Sequence, residues 1–224
     1  SNKALEIASK AIIKLSRLNK TGIDCFRLGI SFGNLNGCPY FPYSQFQSEY
    51  GFSLGLETLN LLQLINGNQI FSLKISEFTQ LLSTELNLVM KKCLNPIIDN
   101  GEVNFEGIDA SIAPFPRSEF SITDGFAKLG LRRFGAPGTL TRISQLTLAI
   151  KQAIKNAGVK PVGFNGCMFS VTEDDGLADI AIRQEINIEK LMLYSTVCGC
   201  GLDMVPVSGD IHMGTIMNLI CDIA

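Results

Sequence analysis

The chain changes its hydrophobic period repeatedly along its length, and this limits its fold more than any single motif. Stretches with apolar residues at helical spacing alternate with short apolar runs suited to buried strands. Glycine, proline or asparagine stands at most of the changes. That order is the pattern of successive βα units, in which a strand enters a sheet and a helix returns over its face. Residues 4–18 place Leu5, Ala8, Ile12, Leu15 and Leu18 on one helical face. Residues 24–32 (DCFRLGISF) read as a strand, and Pro39 and Pro42 then forbid a regular helix or central strand. A short strand or turn before Glu57 and a helix after it stop at Asn66-Gly67.

The second half repeats the alternation. A helix is predicted over 76–93, with Ser76 as its cap and Lys91-Lys92 at its negative end. Strands are expected at 105–113, 162–171 and 202–207. Helices are expected at 118–129, 139–156, 173–184, 188–198 and from Ile211 onward, with Gly130 and Gly158 as closing glycines. No linker rich in proline, glycine or serine divides the sequence, so residues 1–224 read as a single domain.

Composition excludes several classes of function. Hydrophobic residues make up 46% and charged residues 18% of the 224 positions, as in a chain with a packed core. The net charge is −2 and no Lys/Arg run exceeds a pair, so a nucleic-acid surface has no electrostatic support. No apolar run reaches the roughly 18 residues a membrane span needs. The first residues lack the continuous apolar centre of a secretion signal, and seven scattered cysteines suit reduced thiols. A cytoplasmic protein is the expectation. Structural zinc is poorly supported, because Cys198-x-Cys200 is the one closely spaced pair and His212 the one histidine.

Four stretches hold the candidate chemistry. Asp109 falls inside a predicted strand, where a carboxylate needs a partner or a polar interior. Asp210 precedes the last helix. It is read either as that helix's cap or as a catalytic carboxylate at a strand edge, with His212 as a general base. In RRFGAPGT, Arg133 supplies charge, Gly135 and Gly138 let the backbone approach, and Thr139 caps the next helix. The stretch is either an anion site or a structural turn. TEDDG reads as a capping box from Thr172 to Asp175, or as a Mg²⁺ or Ca²⁺ site built on Glu173 and Asp174. Cys198 and Cys200 read as buried, inert thiols, and CPYFPYS (38–44) as a proline-rich aromatic loop.

Several of these stretches occur together in one known family. SIAPFP (111–116), VTEDDG (171–176), NIEKL (187–191) and VCGCGLDMVPVSGD (197–210), with CPYFPYS and FSLGLE upstream, resemble the domain of unknown function 711 family, also called uncharacterised protein family 0210. The resemblance runs from about Cys25 onward and implies a fold rather than a reaction. That fold is an α/β barrel of mainly parallel strands with surrounding helices, related to the ten-stranded barrel of glycyl radical enzymes. It also implies that only part of the barrel is present, because relatives carry further βα units before the point where this chain begins. Glycyl radical chemistry needs a glycine in an RV-x-GY-like context. The chain has no such stretch, so no glycyl radical is expected.

Two functional expectations stay open. One is a homo-oligomeric protein binding a small anionic or phosphorylated metabolite, with or without a divalent cation, whose acid/base chemistry would use Asp109, Asp210 and His212. The other is a non-catalytic metabolite sensor or oligomer-forming scaffold.

Overall fold

The computed structural model describes residues 2–18, 23–33, 38–40, 43–45, 50–101, 103–114 and 120–224. Helix α1 (Asn2–Ser16) opens the chain and a 3-10 turn follows at Ile23–Arg27. Strand β1 is Gly51–Gly55, followed by a 3-10 helix at Leu59–Leu64. Helix α2 (Phe71–Val89) runs through a π-helical turn (Met90–Leu94) into the short α3 (Asn95–Ile98). Strand β2 (Asn104–Asp109) precedes α4 (Ile122–Lys128), α5 (Thr139–Ala157), α6 (Asp175–Ile182), α7 (Ile188–Cys198) and α8 (Met213–Ile223).

β1 and β2 pair in parallel. Their register slips between Phe52 and Ser53, which face Phe105 and Gly107. A third segment lies parallel to the far side of β2 through bridges Ile108–Pro161 and Ile112–Cys167. Its bonds include Ile108 N–H to the Lys160 carbonyl at 2.9 Å and Met168 N–H to the Ile112 carbonyl at 2.8 Å. Parallel neighbours need long crossovers. Here α2 lies between β1 and β2, and α4 and α5 lie between β2 and the third segment. Gly107 is required at the slip: its φ is +139°, and a Cβ there would stand 2.6 Å from the Lys160 carbonyl oxygen.

The core forms where α5 covers this layer. Ile143, Leu146, Ile150, Ala153 and Ile154 recur at helical spacing and are buried, and α5 packs along α2 through Phe78, Leu82 and Leu86 and against α7. Phe126, Phe134, Phe169 and Tyr194 join α4, the turn before α5, the third segment and α7. Their ring centroids lie 5.0 to 6.1 Å apart. α8 packs on α1, and its buried Ile216 and Ile220 stand apart from the main core. No helix among the described residues is long and apolar enough to cross a membrane.

The alternation of helix and strand is the observed architecture, but three predicted strands are not formed as such. In the segment 24–32 the chain makes the 3-10 turn, and no described strand offers it a ladder. Residues 162–171 touch β2 only at bridges, because Gly163 (φ 72°) and Asn165 (φ 50°) turn the backbone out of the extended region. Residues 202–207 are irregular, with Met204 at φ 41°. Helix α2 opens at Phe71 instead of after Ser76, whose hydroxyl bonds back to the Ser72 carbonyl at 3.2 Å. Within the resembling stretches residues 41–42 and 115–116 lie outside the described residues, as do residues 118–119 of the expected helix 118–129.

Candidate functional site

Parallel strands gather loop residues at their carboxyl ends, and Asp109 closes β2 at that edge. It is 3% exposed. Its Oδ1 accepts from Ser111 N–H (2.9 Å), the Ser111 hydroxyl (2.6 Å) and Asn165 N–H (3.2 Å), while Oδ2 accepts from Phe164 N–H (3.0 Å). The Ser111 hydroxyl oxygen also accepts from Gly166 N–H at 3.1 Å. Gly163 leaves room for this arrangement, since a Cβ there would fall 2.7 Å from the Asp109 carboxyl carbon. The partner this buried carboxylate requires is therefore a cradle of loop amides. Tyr40 lies close enough that burial, and then the Asp109 charge, push its hydroxyl pKa up.

Three thiols pack beside this cradle. Cys198 ends α7, Gly199 is its left-handed cap (φ 77°), and Cys200 turns back under it. A Cβ on Gly166 would stand 2.7 Å from Cys200 Sγ and 2.6 Å from the Cys198 carbonyl oxygen. Cys200 Sγ lies 3.8 Å from the Cys198 carbonyl oxygen and Cys198 Sγ 3.9 Å from that of Ser195; the neighbouring Cys200 side chain lowers the Cys198 thiol to about 7 against the opposing effect of burial. The same contact, burial and the neighbouring Cys198, Cys167 and Asp109 charges push Cys200 up. Burial carries Cys167 to about 12, and its sulfur sits 3.7 Å from the Thr147 hydroxyl. Cys198 and Cys200 are buried, as expected from the sequence. The Cys-Gly-Cys spacing is visible there, whereas the approach of Cys167 is not.

The four residues of the Arg133–Thr139 stretch do meet at the start of α5. Gly138 is the helix cap at φ 98°. The buried Thr139 hydroxyl accepts from Gly135 N–H at 3.1 Å and donates to the Ala136 carbonyl at 2.7 Å. Arg133, 63% exposed at its side chain, pairs with Glu185 Oε2 at 3.6 Å. Asp174 caps α6, accepting from Leu177 N–H at 2.8 Å, and its second oxygen accepts from Ile122 N–H at the start of α4 at 2.7 Å. The cap is thus Asp174 and not the expected Thr172. Glu173 instead approaches Asp203, whose carboxyl is pushed up to about 6 by burial and then by the Glu173 charge. Among the described residues no three His, Cys, Asp or Glu side chains are grouped to hold a metal ion.

Asp210 and His212 lie elsewhere. Asp210 is exposed and held by the Ser208 hydroxyl, and it does not cap α8. That cap is His212, whose Nδ1 accepts from Gly214 N–H at 3.1 Å. The two line an open groove of about 670 Å³ with Lys10, Lys14 and Arg17 of the α1 side. Ile13, Leu18 and Met213 supply apolar wall. None of the polar groups that bind the Asp109 carboxylate comes from this segment.

Comparison with known proteins agrees with the motif pattern. A UPF0210 protein of Lachnospira eligens is 36% identical over 120 residues, covering 54% of this chain and 26% of that protein. Those of Methanospirillum hungatei and Lacticaseibacillus paracasei are each 35% identical, covering 54% and 55% of this chain and 26% and 28% of theirs. The matched segment is thus about a quarter of the length of these relatives. The family model described as "Uncharacterised ACR (DUF711)" matches residues 1–224, and the chain belongs to that family.

Proposed function

We propose that this chain binds a small anionic metabolite, phosphorylated or carboxylated, in the groove between α1 and α8. The observation that carries the reading is the convergence of Lys10, Lys14, Arg17 and His212 on one open groove beside the α8 N-terminus. Lys10 is engaged by Glu6, whereas among the described residues Lys14 and Arg17 have no ion-pair partner. Clustered cations raise the local concentration of an anion, and helix-terminal amides complement it. Ile13, Leu18 and Met213 would cover the uncharged part of the ligand. If the bound metabolite reacts, proton transfer falls to Asp210 and to His212 Nε2, since Nδ1 is already occupied by Gly214 N–H. In this reading β1, β2 and the segment 161–168 are a sector of the barrel that the family resemblance implies.

The test is calorimetric titration of the 224-residue chain with inorganic phosphate and with a sugar phosphate, at low and at physiological salt. Saturable binding that weakens at least tenfold (about 1.4 kcal/mol) in Lys14→Ala/Arg17→Ala is expected. Absence of saturable binding, or unchanged affinity in that variant, overturns the proposal.

A further inference from the structure

Between the first turn of α2 and one face of α4 lies an open cleft of about 530 Å³ that shares no residue with the groove between α1 and α8. It contains a buried charge. Lys74 is 5% exposed, and its Nζ donates to the Lys128 carbonyl at 2.9 Å. An ammonium has three donors, yet that carbonyl is its one acceptor among the described residues, and no carboxylate pairs with it there. A buried cation without a counter-ion is costly. A Cβ on Gly130 would stand 3.6 Å from this nitrogen and within 4 Å of nothing else, so the ammonium borders open space where the wall carries no side chain. Arg142 adds positive charge behind it, reaching the Gly130 carbonyl at 3.4 Å while stacked on the Phe71 ring. On α4, Asp124, Ala127 and Lys128 follow at i, i+3 and i+4 and line the same cleft. Asp124 and Lys128 do not pair with each other. Asp124 Oδ2 accepts from Ser121 N–H at 3.1 Å and from the Ser121 hydroxyl at 3.0 Å, which leaves Oδ1 unengaged among the described residues.

We propose that this cleft binds a free amino acid with an apolar side chain, in its zwitterionic form. The α-carboxylate meets the Lys74 and Lys128 ammonium groups, and the α-ammonium meets Asp124 Oδ1. The side chain lies against Phe120 and Ala127, which make the rest of the wall apolar. Capping of α4 spends one Lys74 donor and leaves two for the ligand. A bound carboxylate supplies the counter-ion that the buried ammonium lacks, through hydrogen bonds strengthened by charge on both sides. A simple anion suits the cleft less well, because Asp124 and the partial negative charge of the α4 C-terminus face the same space. A simple cation is opposed by the two lysines. Opposite charges about one helical turn apart, left unpaired over one cavity, match a ligand that carries both signs.

The test is calorimetric titration of the 224-residue chain with L-phenylalanine and L-leucine, with circular dichroism reporting the fold of each variant. Saturable binding of one molecule per chain is expected. Two truncated probes separate the charges: 3-phenylpropionate lacks the ammonium and phenethylamine lacks the carboxylate, and each should bind at least tenfold more weakly than phenylalanine. Lys74→Met and Asp124→Asn should each weaken phenylalanine at least tenfold. Asp124→Asn keeps an oxygen for Ser121, so it reads the charge even where Lys74→Met fails to fold. Lys14→Ala/Arg17→Ala, in the other groove, should bind phenylalanine as the parent does. Absence of saturable binding to either amino acid overturns the proposal. So does equal affinity for 3-phenylpropionate, unchanged affinity in Asp124→Asn, or loss of binding in Lys14→Ala/Arg17→Ala.

Discussion

Asp109 and Asn165 hold each other in place by reciprocal hydrogen bonds. The Asn165 N–H donates to Asp109 Oδ1 at 3.2 Å, while Asn165 Oδ1 accepts from Ala110 N–H, beside Asp109, at 2.9 Å. Asn165 Nδ2 also donates to the Val162 carbonyl at 2.7 Å. Two segments joined only by scattered bridges are therefore fastened by side chains where a regular ladder is missing. The positive φ of Gly163 and Asn165 aims successive loop amides at one carboxylate, at the expense of strand geometry.

This relationship predicts the behaviour of Asp109→Asn. An amide has one acceptor oxygen in place of two, so its NH2 would face a backbone N–H that now bonds to the carboxylate. Hydrogen bonds to a charged group contribute about 1.5–3 kcal/mol each, and an unsatisfied buried donor costs a similar amount. The variant is expected to lose about 2–4 kcal/mol, read as a lower urea midpoint at unchanged slope. Wild-type stability would show that the cradle does not depend on the charge.

Asp174→Ala should be costly for a related reason. One carboxylate caps α6 through Leu177 and satisfies Ile122 N–H of α4, so both helix starts lose an acceptor together. A lost cap costs about 1 kcal/mol and a buried orphan amide about 1–3 kcal/mol. A total of about 2–4 kcal/mol is expected in thermal melts. Ser121, the local cap of α4, keeps its own bond to Asp124 N–H. Ser121→Ala should therefore cost about 1 kcal/mol, less than Asp174→Ala.

Elements with strong local signals were legible in the sequence, and relations between distant segments were not. α5 and α7 begin and end within a residue or two of their expected bounds. Gly158 closes α5, and Asn187 caps α7 by accepting from Lys190 N–H. β2 was readable from its apolar run up to Asp109. Residues 162–171 misled because an apolar run with glycines looks the same whether it completes a ladder or turns around a carboxylate. The site was partly legible: Asp109 stood out as a charge in an apolar run, and Gly138 and Thr139 as a helix start. The meeting of Cys167 with Cys198, and of Asp210 and His212 with α1, depends on tertiary packing that no local spacing records.

Asp203 sets a pH dependence. In the folded chain its carboxyl keeps its proton up to about pH 6, through burial and the Glu173 charge, against about 3.8 ordinarily. Between these values the folded state binds more protons than the unfolded one, so this group's contribution is full below about pH 4. It is lost as pH rises through 6. Such a displacement corresponds to about 3 kcal/mol at full burial, and solvent screening of the half-buried group reduces it to about 1 kcal/mol. Asp203→Asn removes the titration. Its stability relative to the parent should rise by about 1 kcal/mol between pH 4 and pH 7, and a flat difference across that range would contradict the assignment.

The two places where an anion could bind predict opposite outcomes for one substitution. At the α5 start, Arg133 is committed to Glu185 and the Gly135 amide to the Thr139 hydroxyl, so little remains to meet a ligand. In the groove between α1 and α8, Lys14 and Arg17 stand without ion-pair partners among the described residues. Phosphate affinity should therefore be unchanged within twofold in Arg133→Ala and reduced at least tenfold in Lys14→Ala/Arg17→Ala. Screening adds a second criterion. Exposed cations lose their hold as the Debye length shrinks from about 30 Å at 0.01 M to about 8 Å at 0.15 M, so the groove affinity should fall across that range. Titrations of both variants at two salt concentrations separate the sites. If Arg133→Ala alone abolishes binding, the anion belongs at the α5 terminus and the groove reading fails.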